Sequence, residues 1–407
     1  MAVVRPLTGL RYDPARVGDL SRVIAPPYDV ISPARQEALY ARSPYNAIRL
    51  ILPREADRGA AAARTLREWI EARVLVGDPT PALHLYSQTF TLPDGATRRR
   101  DGILCRLRLE DFSTGVVRRH ERTLPGPKAD RLAILRATGA NLSAIFGLYG
   151  RPGERVRDLI GAGASGPPLI DAQDDLGASH RVWRVTDAAA IARVEAALAP
   201  ETIIIADGHH RYETALAYRD ERPGSEAARW VLACLANMEE EGVVILPTHR
   251  LVRGPLRVAP DALVRRVAEW FEAAPPPAER PRGAGEIDLV LPGERVRLRP
   301  RAGAVARLTH LPPVVRALDV AVLHGVILEP LLGLHAEDLE FTHDDAEALA
   351  AVEAGRAAAA FLLNPPTMAE VRRVCLAGEL MPEKSTYFYP KIASGLVFQL
   401  VGPPSSS

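Results

Sequence analysis

Lysine is almost missing from this chain. Of 51 basic residues in 407, only Lys128, Lys384 and Lys391 are lysine and the other 48 are arginine. Asparagine is nearly as scarce, at Asn46, Asn141, Asn237 and Asn364, and aromatic residues make up only 5%. Where arginine has taken over the generic positive charges, a retained lysine marks a place that needs a compact ammonium. Cysteine is limited to Cys105, Cys234 and Cys375, an odd number, widely spaced and in no CxxC pair. That argues against a disulfide framework or a paired-thiolate metal site and predicts three small buried hydrophobes in a reducing compartment. Net charge is missing as well: 51 basic against 50 acidic residues leave a formal +1, so nothing steers the chain towards nucleic acid or an anionic membrane. Unbroken apolar runs are lacking too. VVRALDVAVLHGVILEPLLGL is interrupted by Arg316, Asp319, His324 and Glu329, and MAVVRPLTGLRYDPARVGDL carries no secretory core. A cytoplasmic protein with no membrane or nucleic-acid partner is the expectation.

What is present, 47% hydrophobic and 25% charged residues, is the composition of a globular protein, and the length suggests two or three domains. The pattern predicts an N-terminal α+β domain over 1–160, a central domain over 161–270, a linker or long loop over 271–287, and a C-terminal α+β region over 288–407. Strands are expected at NAIRLIL, ALHLYSQTFTL, GILCRLRLE, HRVWRVT, TIII, ARWVLACLANM, GVVILPTHRLV and AAAFLL. Helices are expected at PARQEALYAR, READRGAAAARTLREWIEARVLV, DRLAILRAT, DAAAIARVEAALA, 313–335, 344–355 and TMAEVRRVCLAGEL. The alternation implies an α/β or α+β fold, with mixed sheets layered with helices. The stretch APPPAERPRGAGE reads as a surface loop and GPPSSS as a frayed tail.

Four segments concentrate chemistry. In TIIIADGHHRYETALAYRDE a β-branched run meets Asp207-Gly208-His209-His210-Arg211 and then a helical period from Glu213. Gly208 permits a sharp turn and close approach to the backbone, a helix N-terminus favours anions, and Arg211 adds a planar fork for phosphate oxygens. The plainer alternative is that Asp207 caps the helix and the histidines are surface polar residues. A metal held by His209 and His210, completed by His120, His249 or Asp29, is a further alternative, although adjacent loop histidines point apart. The second segment, MPEKSTYFYPKIASGL, gathers Lys384, Ser385, Thr386 and Lys391, a phosphate-binding set or a Ser/Thr-rich turn. The third, VRRHERTLPGPKADRLAIL, holds His120, Glu121, Lys128 and Arg131, a substrate-side cluster or a solvated charged face. In the fourth, IAPPYDVIS, prolines present Asp29.

These segments, with LPTHRLV and LLNPPT, resemble in order the signature blocks of the bacterial and archaeal family called domain of unknown function 1015. ADGHHRYETAL is in addition similar to the phosphate-binding box of the ParB and sulfiredoxin superfamily, whose members bind CTP, ATP or, in an archaeal free-serine kinase, ADP. The second resemblance implies a ParB/sulfiredoxin-like strand-loop-helix element in which Gly208, His209, His210 and Arg211 hold nucleotide phosphates and Asp207 orients the loop. Sulfiredoxin's reactive cysteine has no counterpart, since His209 and His210 occupy that region.

The expected function is a nucleotide-dependent phosphotransferase acting on a small hydroxyl-bearing metabolite such as serine, with ADP or ATP and Mg²⁺ as cofactors. Arg211, Lys384 and Lys391, with Ser385 and Thr386, would hold phosphates. Asp207 or Asp29 would take the hydroxyl proton or hold Mg²⁺, with His120 and Glu121 as further catalytic candidates. Lys128, Arg131 and Asn46 would contact substrate. A non-catalytic ParB-like nucleotide-binding regulator and a metal-dependent hydrolase are the rival readings, and a homo-oligomer is left open.

Overall fold

The structure is a computed structural model, described over residues 1–121, 125–256, 258–276 and 282–402. Residues 122–124 of the charged third segment, 277–281 of the expected surface loop and 403–407 of the expected frayed tail lie outside the described residues. The fold is mixed α/β. The chain divides into two compact units. One comprises Met1–Arg119, Thr123–Val244 and Pro390–Ser407, and the other His120–Arg122 and Ile245–Tyr389. This differs from the sequence expectation at two points. The boundary expected near 160 falls inside the first unit, because strands from both sides of it pair in one sheet. The expected C-terminal region splits after Tyr389.

The first unit is built on a mixed sheet whose strands run in the order Val117–Arg119, Ile203–Asp207, Ile145–Tyr149, Trp230–Asn237, Thr97–Arg108, Leu83–Thr91, Ser179–Val185 and Ile170–Gln173. Ile203–Asp207 is parallel to Val117–Arg119, and Trp230–Asn237 is parallel to Ile145–Tyr149; the remaining pairs are antiparallel. Ile203–Asp207 and Trp230–Asn237 are buried along their whole length, which is why both read as continuous apolar runs without alternation. Helices Arg58–Glu71, Pro125–Thr138 and His209–Asp220 pack in succession, Pro125–Thr138 in the middle. The chain's last described residues return here: Gln399–Leu400 pairs with Ala140–Asn141, and Phe398, Leu396 and Val401 are buried.

NAIRLIL, expected as a strand, is instead a short helix, Ile48–Ile51. Asn46 decides this locally, since its side-chain oxygen accepts the Ile48 N–H at 3.0 Å and closes the first turn. Burial of Ile48, Leu50 and Ile51 then overrides their strand preference.

The second unit carries an antiparallel sheet in the order Phe271–Ala274, Glu294–Pro300, Ile287–Leu291, Ala359–Leu362, His249–Val252, Leu339–Thr342. Part of the stretch expected as a linker is therefore strand. The helix expected over 313–335 is broken into Pro313–Arg316, Asp319–Val322 and a wide-wound turn, Leu323–Leu332, that accommodates Pro330. Among the described residues no helix is long and apolar enough to cross a membrane.

Candidate functional site

Asp207 ends the interior strand Ile203–Asp207, and Gly208, at φ +89°, turns the chain directly into helix His209–Asp220. Only glycine serves at 208. A Cβ there would lie 2.9 Å from the Arg211 guanidinium, and the backbone is left-handed. The helix begins four residues before the expected Glu213, so His209, His210 and Arg211 form its first turn, His209 buried and His210 half-buried. Gly208 is the N-terminal cap, and Asp207 does not cap the helix.

The carboxylate of Asp207 turns instead to two cations. Arg211 Nη2 donates to Oδ2 at 2.5 Å, and Lys391 Nζ donates to Oδ1 from 184 residues away. Burial by itself would raise the pKa of Asp207. Lys391 and then Arg211 outweigh burial and hold the carboxyl well below the usual carboxylate range. The other face of Arg211 donates to the carbonyl of Ala144.

Lys391 reaches this point because its backbone is tied down. Arg100, 2% exposed, donates to the Pro390 carbonyl at 2.7 Å and to the Gln88 side chain, while Gln88 Nε2 donates to the Lys391 carbonyl at 3.1 Å. The Arg100 guanidinium also lies over the Phe146 ring, 4.5 Å from its centroid. Sequence reasoning missed Arg100 because TRRRDG reads as a turn; in the structure it is the start of strand Thr97–Arg108, and position 100 faces inward.

Beside Arg211 a cavity of about 60 Å³ is lined by Tyr28, Arg131, Asn141, Ser143 and Thr214 among others. The Arg131 guanidinium lies 4.1 Å from the Tyr28 ring centroid, its charge shared with Asp130 and the Ile51 carbonyl. Burial first, then the neighbouring Asp29 carboxylate, pushes the Tyr28 hydroxyl up to about 12. The proline-set loop thus offers this cavity Tyr28 rather than the expected Asp29, which is exposed on the turn Tyr28–Val30. Tyr28 was legible only as the neighbour of Asp29.

Of the remaining sequence candidates, Lys128 pairs with Glu213, which also accepts from Arg119 at 2.5 Å. Asn46 is spent on the main chain: its amide donates to the carbonyls of Arg22 and Ile24 at 2.8 and 3.0 Å and its oxygen serves Ile48. With both ends of its amide so occupied, it braces the 22–48 backbone.

In the second unit, His120 is buried and its Nε2 lies 2.6 Å from Thr386 Oγ1. Its carbonyl accepts from Met381 N–H, and Glu121 follows half-buried. Ser385 donates to the Pro382 carbonyl at 2.5 Å. Lys384 is exposed and holds a left-handed backbone at φ +55°. His249, at the head of its strand, lies 2.7 Å from Asp345.

The family model described as Protein of unknown function (DUF1015) matches residues 4–321. No curated protein matches the chain. Among solved structures the chain is similar to a conserved hypothetical protein from Pyrococcus furiosus, at 16% identity over 73% of this chain and 95% of that one, TM-score 0.37. It is similar to a free serine kinase in complex with AMP, at 15% identity over 70% and 86%, TM-score 0.38. It is also similar to SbnI with C-terminal truncation from Staphylococcus aureus, at 12% identity over 69% and 83%, TM-score 0.37.

Proposed function

The chain belongs to the DUF1015 family, and from that premise we propose a nucleotide-dependent phosphotransferase that acts on a small hydroxyl-bearing metabolite. One observation carries the reading: Lys391 and Arg211, 180 positions apart in the sequence, share a single buried carboxylate at the start of a helix. Two cations against one anion leave an excess of positive charge, and the helix N-terminus adds to it. A phosphate group is the ligand that such an excess favours.

Phosphoryl transfer asks a protein mainly for positioning and for neutralisation of charge on the phosphoryl oxygens, and no strong nucleophile is required. Arg211 supplies a bidentate fork and Lys391 a point charge. As phosphate oxygens draw these cations away, Asp207 loses the partners that depress its pKa. It then becomes a better acceptor for a substrate hydroxyl proton than in the resting site. Tyr28 and Arg131, at the adjoining cavity, are placed on the substrate side in this reading. Mg²⁺ takes oxygen ligands, and Asp207 is the carboxylate that the loop offers, with the nucleotide's phosphates as further donors. Its two oxygens are those that Lys391 and Arg211 hold, so a metal there requires both cations to turn to phosphate.

The test is incubation of the purified chain with ATP or ADP, Mg²⁺ and serine, read by phosphorus NMR for a phosphomonoester, with nucleotide affinity from calorimetry. Product is expected, and Arg211→Ala should weaken nucleotide binding by at least about tenfold, a little over 1 kcal/mol. Tight binding without product would favour the regulator over the enzyme. Unchanged affinity in Arg211→Ala would defeat both.

A further inference from the structure

The second unit buries an arginine that no carboxylate answers among the described residues. Arg250 lies in strand His249–Val252 and is 1% exposed. Among the described residues its guanidinium donates only to carbonyls, those of Thr248, Lys384 at 3.0 Å and Glu383 at 3.4 Å, and its Nε has no hydrogen-bond partner. Burial draws its pKa down to about 9, with no anion opposing the shift. Its field also reaches His324, which burial and then Arg250 push down to about 3. A buried cation of this kind is costly to fold around, and the cost is offset when an anion arrives.

Arg250 lines a cavity of about 220 Å³ with Thr248, Asp319, Asn364, Ser385 and Glu370, the last held by the N–H and hydroxyl of Thr367, between apolar walls that include Leu318 and Leu363. Thr248 is 3% exposed, and its hydroxyl is a second buried polar group with no partner. Asp319 contributes the opposite charge. Its carboxylate accepts from Asn364 Nδ2 at 3.2 Å and from the Gly285 N–H; burial first, then the Glu370 carboxylate, raises its pKa against the pull of Arg282, and no described cation lies within ion-pair distance of it. Cation and anion therefore border one cavity without neutralising each other. An anionic ligand alone would meet Asp319, and a cationic one would meet Arg250. A molecule carrying both charges satisfies both, and the volume, below that of drug-sized sites, suits a metabolite of few atoms.

We propose that this cavity binds a small zwitterion of the α-amino acid type, its carboxylate on Arg250 and Thr248 and its ammonium on Asp319. The Ser385 oxygen, which donates to Pro382, keeps lone pairs for the ammonium or for a ligand hydroxyl. The proposal concerns the second unit by itself and stands whether or not the first unit binds nucleotide.

Calorimetric titration of the full chain with L-alanine, L-serine, lactate and ethanolamine tests it. The two amino acids should bind, while lactate and ethanolamine, each with one of the two charges, should bind at least about tenfold more weakly. Asp319→Asn, nearly isosteric, should cost the amino acids about tenfold or more and leave nucleotide affinity unchanged, and Arg250→Gln should cost more. Absence of amino-acid binding, equal binding of lactate and alanine, or undiminished binding by Asp319→Asn would each overturn the proposal. Should Arg250→Gln fail to fold, the Asp319 variant and the ligand series still decide.

Discussion

Two of the three lysines end on buried or half-buried carboxylates, Lys391 on Asp207 and Lys128 on Glu213. Each of these carboxylates also holds an arginine, Arg211 on Asp207 and Arg119 on Glu213, so the retained lysine adds a compact second cation beside a guanidinium. The asparagines, nearly as scarce, brace the main chain. Asn46, Asn141, Asn237 and Asn364 all bond to main-chain groups, so each supports backbone, and Asn141 and Asn364 border a cavity as well. The Lys391 pair has a consequence for acid stability. Asp207 has a folded pKa below its unfolded value, so its contribution is complete above the unfolded pKa, near 3.9, and is lost as pH falls from there towards the folded pKa. Lys391→Met should destabilise the chain at neutral pH by about 1–3 kcal/mol, since Arg211 remains as a partner. The gap between variant and wild type should shrink as pH falls from about 5. Urea midpoints across a pH series measure this, and a gap independent of pH would show that Lys391 does not act through Asp207.

At the scale of elements, the strand, glycine and helix of 203–220 were legible because each follows from local rules: a buried β-branched run, a residue free to take positive φ, then helical periodicity. The helix starts four residues earlier than its periodicity indicates, since the two adjacent histidines are weak helix formers that the tertiary setting overrides. Gly208→Ala should cost about 1–3 kcal/mol, more than the intrinsic left-handed penalty, because the added methyl meets Arg211. The melting temperature and the nucleotide affinity of that variant should fall together. A variant as stable as wild type would show that the turn tolerates a side chain. The opposite failure, NAIRLIL, came from a single capping side chain and a buried face overruling strand propensity.

At the scale of the molecule, the first unit is completed by the end of the chain. Phe398 sits in its core, Ser394 pairs with Ala25, and Gln399–Leu400 pairs with Ala140–Asn141. Ending the chain after Tyr389 should accordingly strip hydrogen-exchange protection from Leu10–Tyr12 and Ala140–Asn141 while Ile287–Leu291 stays protected. It should also abolish nucleotide binding with Lys391 removed. Equal loss of protection in both places, or none in either, would contradict the assignment of these residues to the first unit.

The amino-acid order by itself determined what sterics and periodicity act on at short range: the mixed α/β character, the glycine hinge, the buried cysteines and the segments where charge collects. Which groups meet was decided by packing alone. Tyr28 and Arg100 come within electrostatic reach of Asp207, Gln88 holds the Lys391 carbonyl, and Arg250 ends without a counter-ion among the described residues, through contacts between residues tens to hundreds of positions apart. Such pairings depend on strand register and on where the chain returns, and neither leaves a trace in the local pattern.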